Sequence, residues 1–273
     1  MHLKPKVKAP SPELLGRTQE VLQRHALNTV CIASRCPNIS ECFFRGTATF
    51  MILGDRCTRN CKFCSVTHAK PKPPDASEPE RIARAVEELG LRYVVITSVD
   101  RDDLEDFGAS HFVRVTEAIR KRTDARIELL TPDFKGDSAA LVAIIAAKPH
   151  KLAHNIETVR RLHRFIKPGS SYERSLAVLR TYADSGIITK SSLIVGLGEN
   201  FEEIEETLQE LYDVGVRQLT IGQYLRPSKE QLPVQKYYTP EEFAALEAVA
   251  KDIGFEAVAS GALVRSSYYA ERL

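Results

Sequence analysis

The sequence predicts an α/β fold built on a parallel sheet, and three observations lead there. Six short apolar segments between Gly46 and Tyr224 alternate with segments of helical periodicity, the pattern of successive βαβ units. Several of the strands are apolar on both faces, as in a sheet covered by helices. Polar residues gather just after the strands, where parallel sheets, open or closed, bind their ligands. Periodicity alone leaves open whether the sheet is open or forms a full or partial barrel.

The elements follow in order. Ser11 caps a first helix with Pro12 at its first position, and Leu14, Leu15, Thr18, Val21 and Leu22 keep helical spacing to about Leu27. Residues 46–54 (GTATFMILG) read as a buried strand, and KPKPP (70–74) as a rigid extended segment. A helix over 78–89 is closed by Gly90. Strands over 92–98, 126–131, 151–155, 189–195 and 216–224 then alternate with helices over 109–121, 137–147, 171–184 and 201–212. A helix over 240–253 and a final strand over 255–260 end the pattern. Asp55, Asp100 to Asp103, Asp133, Asn155, Glu157, Glu199, Gln223 and Tyr224 fall at or after strand ends. No repeat of fixed period is present.

Composition sets the bounds. The chain has 273 residues, enough for one large domain or two small ones at roughly 100–200 residues each. Hydrophobic residues make up 43% and charged residues 27%, as in ordinary soluble proteins, so the cysteines are not needed as staples. A net charge of +2 gives no argument for nucleic acid. No apolar run approaches the ~18 residues of a membrane span. The lysine- and proline-rich start reads as a flexible basic arm, not a secretory signal. The expected location is therefore cytoplasmic, where thiols are free or metal-bound and not paired.

All six cysteines lie between positions 31 and 64. Cys31, Cys36 and Cys42 read C-x4-C-x5-C, and Cys57, Cys61 and Cys64 read C-x3-C-x2-C. Each triplet is one thiolate short of a closed four-ligand site. Thiolates are soft ligands that select zinc, copper or iron–sulfur clusters. One loop with the second spacing can wrap three corners of a cubane and leave the fourth iron open. The alternative is a zinc-binding module with two structural sites, in which His68, four residues past Cys64, completes the second.

The second triplet follows the first strand of the βα alternation and has Phe63 directly before its last cysteine. In this it resembles the signature of radical S-adenosylmethionine (SAM) enzymes. That resemblance implies a partial (β/α)6 barrel and a [4Fe–4S] cluster on Cys57, Cys61 and Cys64. The open iron of that cluster chelates the methionine moiety of SAM, whose reductive cleavage gives a 5′-deoxyadenosyl radical able to abstract hydrogen from an unactivated carbon. SLIVGLGE (192–199) resembles the superfamily's GxIxGxxE stretch near the adenosyl group, with Ser192 in place of the first glycine. Gly196 and Gly198 otherwise simply turn the chain into the next helix. Asn155 and Glu157 either cap the following helix or hydrogen-bond a ribose. With Thr97, Ser98, Gly196, Glu199, Gln223 and Tyr224 they make the expected SAM-contact set.

The first triplet narrows the resemblance to lipoyl synthase. Matching strings run through the chain: TSVDRDDLEDFGA (97–109), ELLTPDF (128–134), HNIETV (154–159), VGLGE (195–199), QYLRPS (223–228) and VASGALVRSSY (258–268). This resemblance implies a second, auxiliary [4Fe–4S] cluster on Cys31, Cys36 and Cys42. Its fourth ligand is a serine hydroxyl of the R-S-S-Y motif, assigned to Ser266, with Ser267 left open by sequence. An oxygen ligand on iron is harder and more labile than thiolate. The implied organisation is an N-terminal extension over 1–45, a barrel over 46–230 and a C-terminal extension over 231–273 that closes over the auxiliary cluster.

The implied reaction is sulfur insertion at C6 and C8 of an octanoyl group on a lipoyl carrier domain or H protein. It consumes two SAM per lipoyl group and uses the auxiliary cluster as sulfur donor. The implied partners are that carrier, an electron donor such as ferredoxin or flavodoxin, and an iron–sulfur carrier that rebuilds the cluster. Neither nucleic acid nor membrane is expected. The family usually has proline at Ala262 and often histidine at Tyr269, so the resemblance carries over neither the local loop shape nor a histidine role there, and the serine ligand is unaffected. Another sulfur-inserting radical enzyme, such as one like biotin synthase, lacks the first triplet and the terminal motif. Arg59, Arg101 and Arg265 either neutralise carboxylate or cluster charge or are solvated at the surface.

Overall fold

Strand order decides the shape that periodicity left open. The computed structural model describes residues 12–29, 38, 41–42 and 45–273; Ser11, Cys31 and Cys36 lie outside the described residues. In chain order the strands are β1 (Asn28–Thr29), β2 (Thr47–Ile52), β3 (Arg56–Cys57), β4 (Thr67–His68), β5 (Tyr93–Ser98), β6 (Arg126–Leu130), β7 (Lys151–Ala153), β8 (Thr189–Val195), β9 (Gln218–Gln223) and β10 (Ala257–Gly261). The helices are α1 (Pro12–Arg24), α2 (Glu78–Glu88), α3 (Ala109–Arg122), α4 (Ser138–Ala146), α5 (Arg160–Ile166), α6 (Tyr172–Asp184), α7 (Phe201–Asp213) and α8 (Pro240–Ile253).

The main sheet runs β1-β2-β5-β6-β7-β8-β9-β10. All its pairings are parallel except β1 with β2. The order never reverses. Right-handed crossovers then put every connecting helix on one face of the sheet, and the twisted sheet curls away from them into a partial barrel. The C-terminal residues add a parallel strand, β10, to the six that precede it. The short β3–β4 pair is separate and carries the first cysteine of the second triplet.

Alternation along each strand separates two environments. Outward residues such as Val94, Ile96, Ile127 and Leu129 pack with Ile82, Phe112, Val115 and Ile144 of the surrounding helices. Leu193, Val195, Leu219 and Ile221 pack with Ile204, Leu208, Phe243 and Leu246 in a second core. Each such fully buried side chain contributes about 1.5–3 kcal/mol. Several inward residues at the N-terminal half of the barrel are polar instead. Tyr93 Oη donates to Glu128 Oε2 at 2.9 Å, Lys190 Nζ reaches Glu128 Oε1 at 3.0 Å, and Lys151 Nζ lies 3.8 Å from Glu128.

Helix starts follow their sequence signals. Asp137 accepts from Ala140 N, and Ser171 from Arg174 N. Asn200 with Glu203, and Thr239 with Glu242, form capping boxes. Helix α5 was not predicted; its sequence RRLHRFI is short and basic, and Val159 before it supplies no side-chain cap.

After β10 the chain turns back on itself. Val264 N bonds Gly261 O, and consecutive turns carry residues 265–273 into the barrel, where Ala270 is fully buried against Tyr93 and Val95. Asn38 Nδ2 donates to Leu263 O at 2.6 Å, and the Tyr268 and Tyr269 hydroxyls donate to Glu41 at 3.0 and 2.9 Å. Asn38 and Glu41 therefore meet the C-terminal tail. Among the described residues no helix is long and apolar enough to cross a membrane.

Candidate metal and cofactor site

The Cys57–Cys64 loop leaves the end of β2 and is fastened on three sides. Thr58 binds it to the end of β5: its N and Oγ1 donate to Asp100 O at 3.0 and 2.9 Å, and Asp102 N donates back to Oγ1 at 3.1 Å. Lys62 N donates to Ile166 O at the end of α5, and Leu232 N to Lys62 O. Phe63 packs against Ile166, Leu197 and Tyr224. These contacts explain an apolar aromatic in an otherwise polar loop.

Arg59 supplies the electrostatic anchor. Its Nε and one terminal nitrogen donate to Asp102 at 2.9 and 2.8 Å, and that same nitrogen reaches Asp133 Oδ1 at 2.7 Å. Its other terminal nitrogen lies 3.3 Å from Asp100. The Arg59 side chain is 5% exposed and Asp133 is fully buried, which overturns surface solvation as the explanation of Arg59. Burial works against the Asp133 carboxylate, but the hydrogen bond and charge of Arg59 hold it well below the usual carboxylate range. Arg101 is likewise buried; it donates to Asp103 twice at 2.8 Å and to Leu53 O.

The thiols receive backbone donors. Arg59 N and Asp100 N lie 3.4 and 3.3 Å from Cys57 Sγ, and Val66 N lies 3.4 Å from Cys64 Sγ. Burial pushes the Cys57 and Cys61 thiols up to about 12, with Asp100 adding to the effect at Cys57. Metal binding to such a site releases protons and supplies the positive charge that offsets the buried thiolates. Among the described residues no three His, Cys, Asp or Glu side chains converge closely enough to hold a single ion. His68 turns its Nδ1 to Cys57 O at 3.2 Å. The donor set is three soft sulfurs spread over one cavity wall with N–H···S support, which fits a thiolate-bound iron–sulfur cluster.

That cavity has a volume of about 280 Å³ and lies at the C-terminal ends of the strands. Cys57, Cys61 and Cys64 line one side of it. Thr97 and Ser98 from β5, and Asn155 and Glu157 after β7, line it as well. Helix α5 begins only at Arg160, and no side chain caps it, so Asn155 and Glu157 are not its caps. Glu157 has φ +70°, a conformation non-glycine residues rarely adopt. It accepts from Asn155 Nδ2 at 3.0 Å, and burial raises its pKa against the opposing charge of Lys167. Strain of this kind, worth about 1–3 kcal/mol, collects at ligand-binding positions.

Ser266 and Ser267 line the same cavity, although more than 200 residues separate them from the cysteines. Cys42 is described and half-buried, and the adjacent Glu41 receives the tyrosine hydroxyls of the tail. Burial opposes ionisation of Glu41, but hydrogen bonds from Tyr269, Tyr268 and Arg45 hold its pKa below the usual value. Tyr269, the departure noted in the sequence, also accepts from Arg45 at 2.9 Å, and the Arg45 guanidinium stacks 4.0 Å above its ring.

Four expected contact residues stand outside the cavity lining. Gln223 Nε2 donates to the carbonyls of Val195, Tyr224 and Lys236, and its Oε1 accepts from Tyr238 N. Glu199 accepts from Gly196 N, Leu197 N and Tyr238 Oη, closing the turn after β8. Gly196 has φ +102°, and a Cβ there would sit 2.3 Å from Gln223 Nε2. Tyr224 supports Phe63 and donates to Leu232 O. These residues shape the wall behind the cysteine loop.

Sequence reasoning missed Lys167, His154 and Ser170, all of which line the cavity. Lys167 Nζ donates to Asn155 O at 3.0 Å. His154 donates from Nδ1 to Thr131 O and accepts at Nε2 from Ser175 Oγ. Burial lowers its pKa to about 4, so it is neutral near pH 7. For Lys167 the available signal was its place in KPGSS, a turn after an unrecognised helix.

Comparison with known proteins bears on the whole chain. A family model described as the radical SAM superfamily matches residues 51–211. The chain is 49% identical over 271 residues to a lipoyl synthase of Methylococcus capsulatus, covering 98% of this chain and 84% of that one. It is 52% identical over 259 residues to lipoyl synthase 2 of Gloeobacter violaceus, covering 94% and 90%. Among solved structures it is similar to Streptococcus suis SuiB bound to S-adenosylmethionine, with a TM-score of 0.63 at 12% identity over 90% of this chain and 54% of that one. At that identity the likeness is one of fold.

Proposed function

This chain belongs to the lipoyl synthase family of the radical SAM superfamily, and on that premise we propose that it inserts two sulfur atoms, at C6 and C8 of a protein-bound octanoyl group, to form the lipoyl cofactor. It is thus a sulfurtransferase acting on octanoylated carrier proteins. The observation that carries this reading is that Ser266 and Ser267 share one cavity with Cys57, Cys61 and Cys64. Residues that would hold each of the two groups thus face one space.

A [4Fe–4S] cluster and SAM accompany the superfamily fold. We assign that cluster to Cys57, Cys61 and Cys64. An auxiliary [4Fe–4S] cluster is assigned to Cys31, Cys36, Cys42 and Ser266, with Ser267 as the other candidate hydroxyl. When bound, these groups supply the one-electron cleavage of SAM that activates an unreactive C–H bond, and the sulfur that replaces the hydrogen. Two SAM are used per lipoyl group.

This chain's own residues hold and shield those groups. Arg59 ties the loop between Cys57 and Cys61 to the ends of β5 and β6 through Asp102 and Asp133. Thr97, Ser98, Asn155 and Glu157 offer hydrogen-bonding groups to SAM, and Lys167 offers positive charge to its carboxylate. Gly196, Glu199, Gln223 and Tyr224 fix the turn and the apolar packing behind the loop. Enclosure inside the barrel excludes water from a reactive site. The extensions over 1–45 and 231–273 flank the barrel over 46–230, the latter contributing β10 to its sheet. The carrier is a lipoyl domain or H protein, electrons come from a ferredoxin or flavodoxin, and an iron–sulfur carrier rebuilds the auxiliary cluster in the cytoplasm.

Anaerobic metal and sulfide analysis tests the reading. Two clusters require about eight irons and about eight sulfides per chain. Zinc without sulfide would overturn it.

A further inference from the structure

We infer that Lys151 and Gly222 form a two-point clamp that sets how far the Ser266–Ser267 segment reaches into the cavity, with Lys151 acting as a positioning residue through the tail it holds. The second half of that statement rests on the proposed role of the serine; the clamp itself does not.

Lys151 begins β7 and is 1% exposed inside the barrel. A buried cation needs partners, and the nearby carboxylate is already engaged. Glu128 accepts from Tyr93 and from Lys190, and it stands 3.8 Å from Lys151. The closer partners of Lys151 are backbone oxygens of the tail, Ala270 O at 3.1 Å and Leu273 O at 2.7 Å. Two lysines thus face one carboxylate, and the excess charge is met by the tail. The dependence is mutual. Ala270 is fully buried, so its carbonyl needs a donor as much as the ammonium needs an acceptor.

The second point lies on the other side of the serines. Gly222, inward-facing on β9, meets Val264 so closely that a Cβ would sit 2.2 Å from Val264 O. Between Val264 and Ala270 the chain is wound into consecutive turns, Tyr268 N to Arg265 O at 2.9 Å and Ala270 N to Ser267 O at 3.4 Å. Such a compact segment has little slack. Fixing both of its ends fixes the serine hydroxyls relative to the Cys57–Cys64 loop. The hydrogen bonds from Tyr268 and Tyr269 to Glu41 then bring the segment holding Cys42 to the same place.

The test is tryptic cleavage of the full metal-free chain after Arg265, followed by mass spectrometry, in wild type, Lys151→Met, Lys151→Arg and Gly222→Ala. Cleavage there requires local release of the tail. Losing two hydrogen bonds from a buried charged donor should raise its rate about tenfold or more in Lys151→Met. Lys151→Arg, which keeps the charge and the donors, should restore most of the protection. Gly222→Ala should raise cleavage as well, by displacing Val264. After iron and sulfide loading, Lys151→Met should retain about four irons where wild type retains about eight. Wild-type cleavage rates in both Lys151→Met and Gly222→Ala would overturn the clamp. If Lys151→Met does not fold, Gly222→Ala decides alone, and unchanged protection overturns it. Should wild type hold only one cluster, the functional reading falls while the cleavage rates still judge the clamp.

Discussion

Replacing Arg59 by methionine removes one guanidinium from among three carboxylates. The Asp133 contact dominates the expected cost, because Asp133 is fully buried and Arg59 is 5% exposed. Asp133 keeps Ser170 Oγ at 2.9 Å, Lys135 N at 3.1 Å and the more distant Arg174 at 3.3 Å, but loses its closest cationic partner. Breaking one side of a buried ion pair costs about 3–5 kcal/mol, a large share of the ~5–15 kcal/mol by which native proteins are stable. Urea unfolding with the slope held fixed reads this directly. The pH dependence gives a second signature. In wild type the depressed pKa of Asp133 contributes stability that is fully present above its unfolded value, about 3.9, and is lost as pH falls through the folded one. In the variant Asp100, whose pKa burial already raises against the opposing charge of Arg59, loses that charge while Asp133 still faces it, so its pKa rises further. A raised carboxylate pKa penalises folding at high pH and is relieved as pH falls. The stability deficit of Arg59→Met should therefore shrink between pH 7 and pH 5, and Arg59→Lys should recover only part of it, lacking the planar fork. A deficit below about 1 kcal/mol, or one that does not change with pH, would refute the anchoring role.

Other outcomes are expected from the same geometry. Ser266→Ala should lower iron to about four per chain while Ser267→Ala leaves about eight; iron assay after gel filtration separates them, and the reverse result reassigns the ligand to Ser267. Gly196→Ala combines φ +102° with a Cβ 2.3 Å from Gln223 Nε2, and should lower the thermal midpoint by about 5 °C or more. Tyr238→Phe removes the hydroxyl donor to Glu199, at a cost of about 1 kcal/mol in urea unfolding, and no measurable loss would show that the two backbone N–H groups alone suffice to hold that carboxylate.

The sheet was readable because its strands are apolar, short and spaced by strong helical patterns. The predicted strand over 189–195 coincides with β8 (Thr189–Val195). Barrel curvature was not readable, since periodicity carries no strand order. Helix α5 was missed because its stability comes from packing, with Ile166 and His163 buried, and not from caps or propensity. Strand β1 has two residues and exists through its pairing with Phe50 and Met51. The cysteine spacing exposed one wall of the site. The other walls arise from residues such as Lys167 and Ser170, whose roles appear only once the chain is folded. Sequence left Arg59 open between charge neutralisation and surface solvation because its three carboxylates are 41 to 74 positions away. Ser266 was nameable only through resemblance. What brings it to the cysteines is a tail threaded into the barrel, held by a lysine that sequence gave no reason to single out.

The most direct test of the proposed function is anaerobic turnover. The iron- and sulfide-loaded protein is incubated with an octanoylated carrier protein, SAM and a low-potential reductant, and the carrier is analysed by mass spectrometry. The expected product carries two additional sulfurs, as the dithiol under the reductant and with two fewer hydrogens only after later oxidation to the disulfide, and it forms with cleavage of two SAM and with loss of sulfide from the protein. SAM cleavage without any sulfur gain on the carrier, from protein shown to hold both clusters, would contradict it.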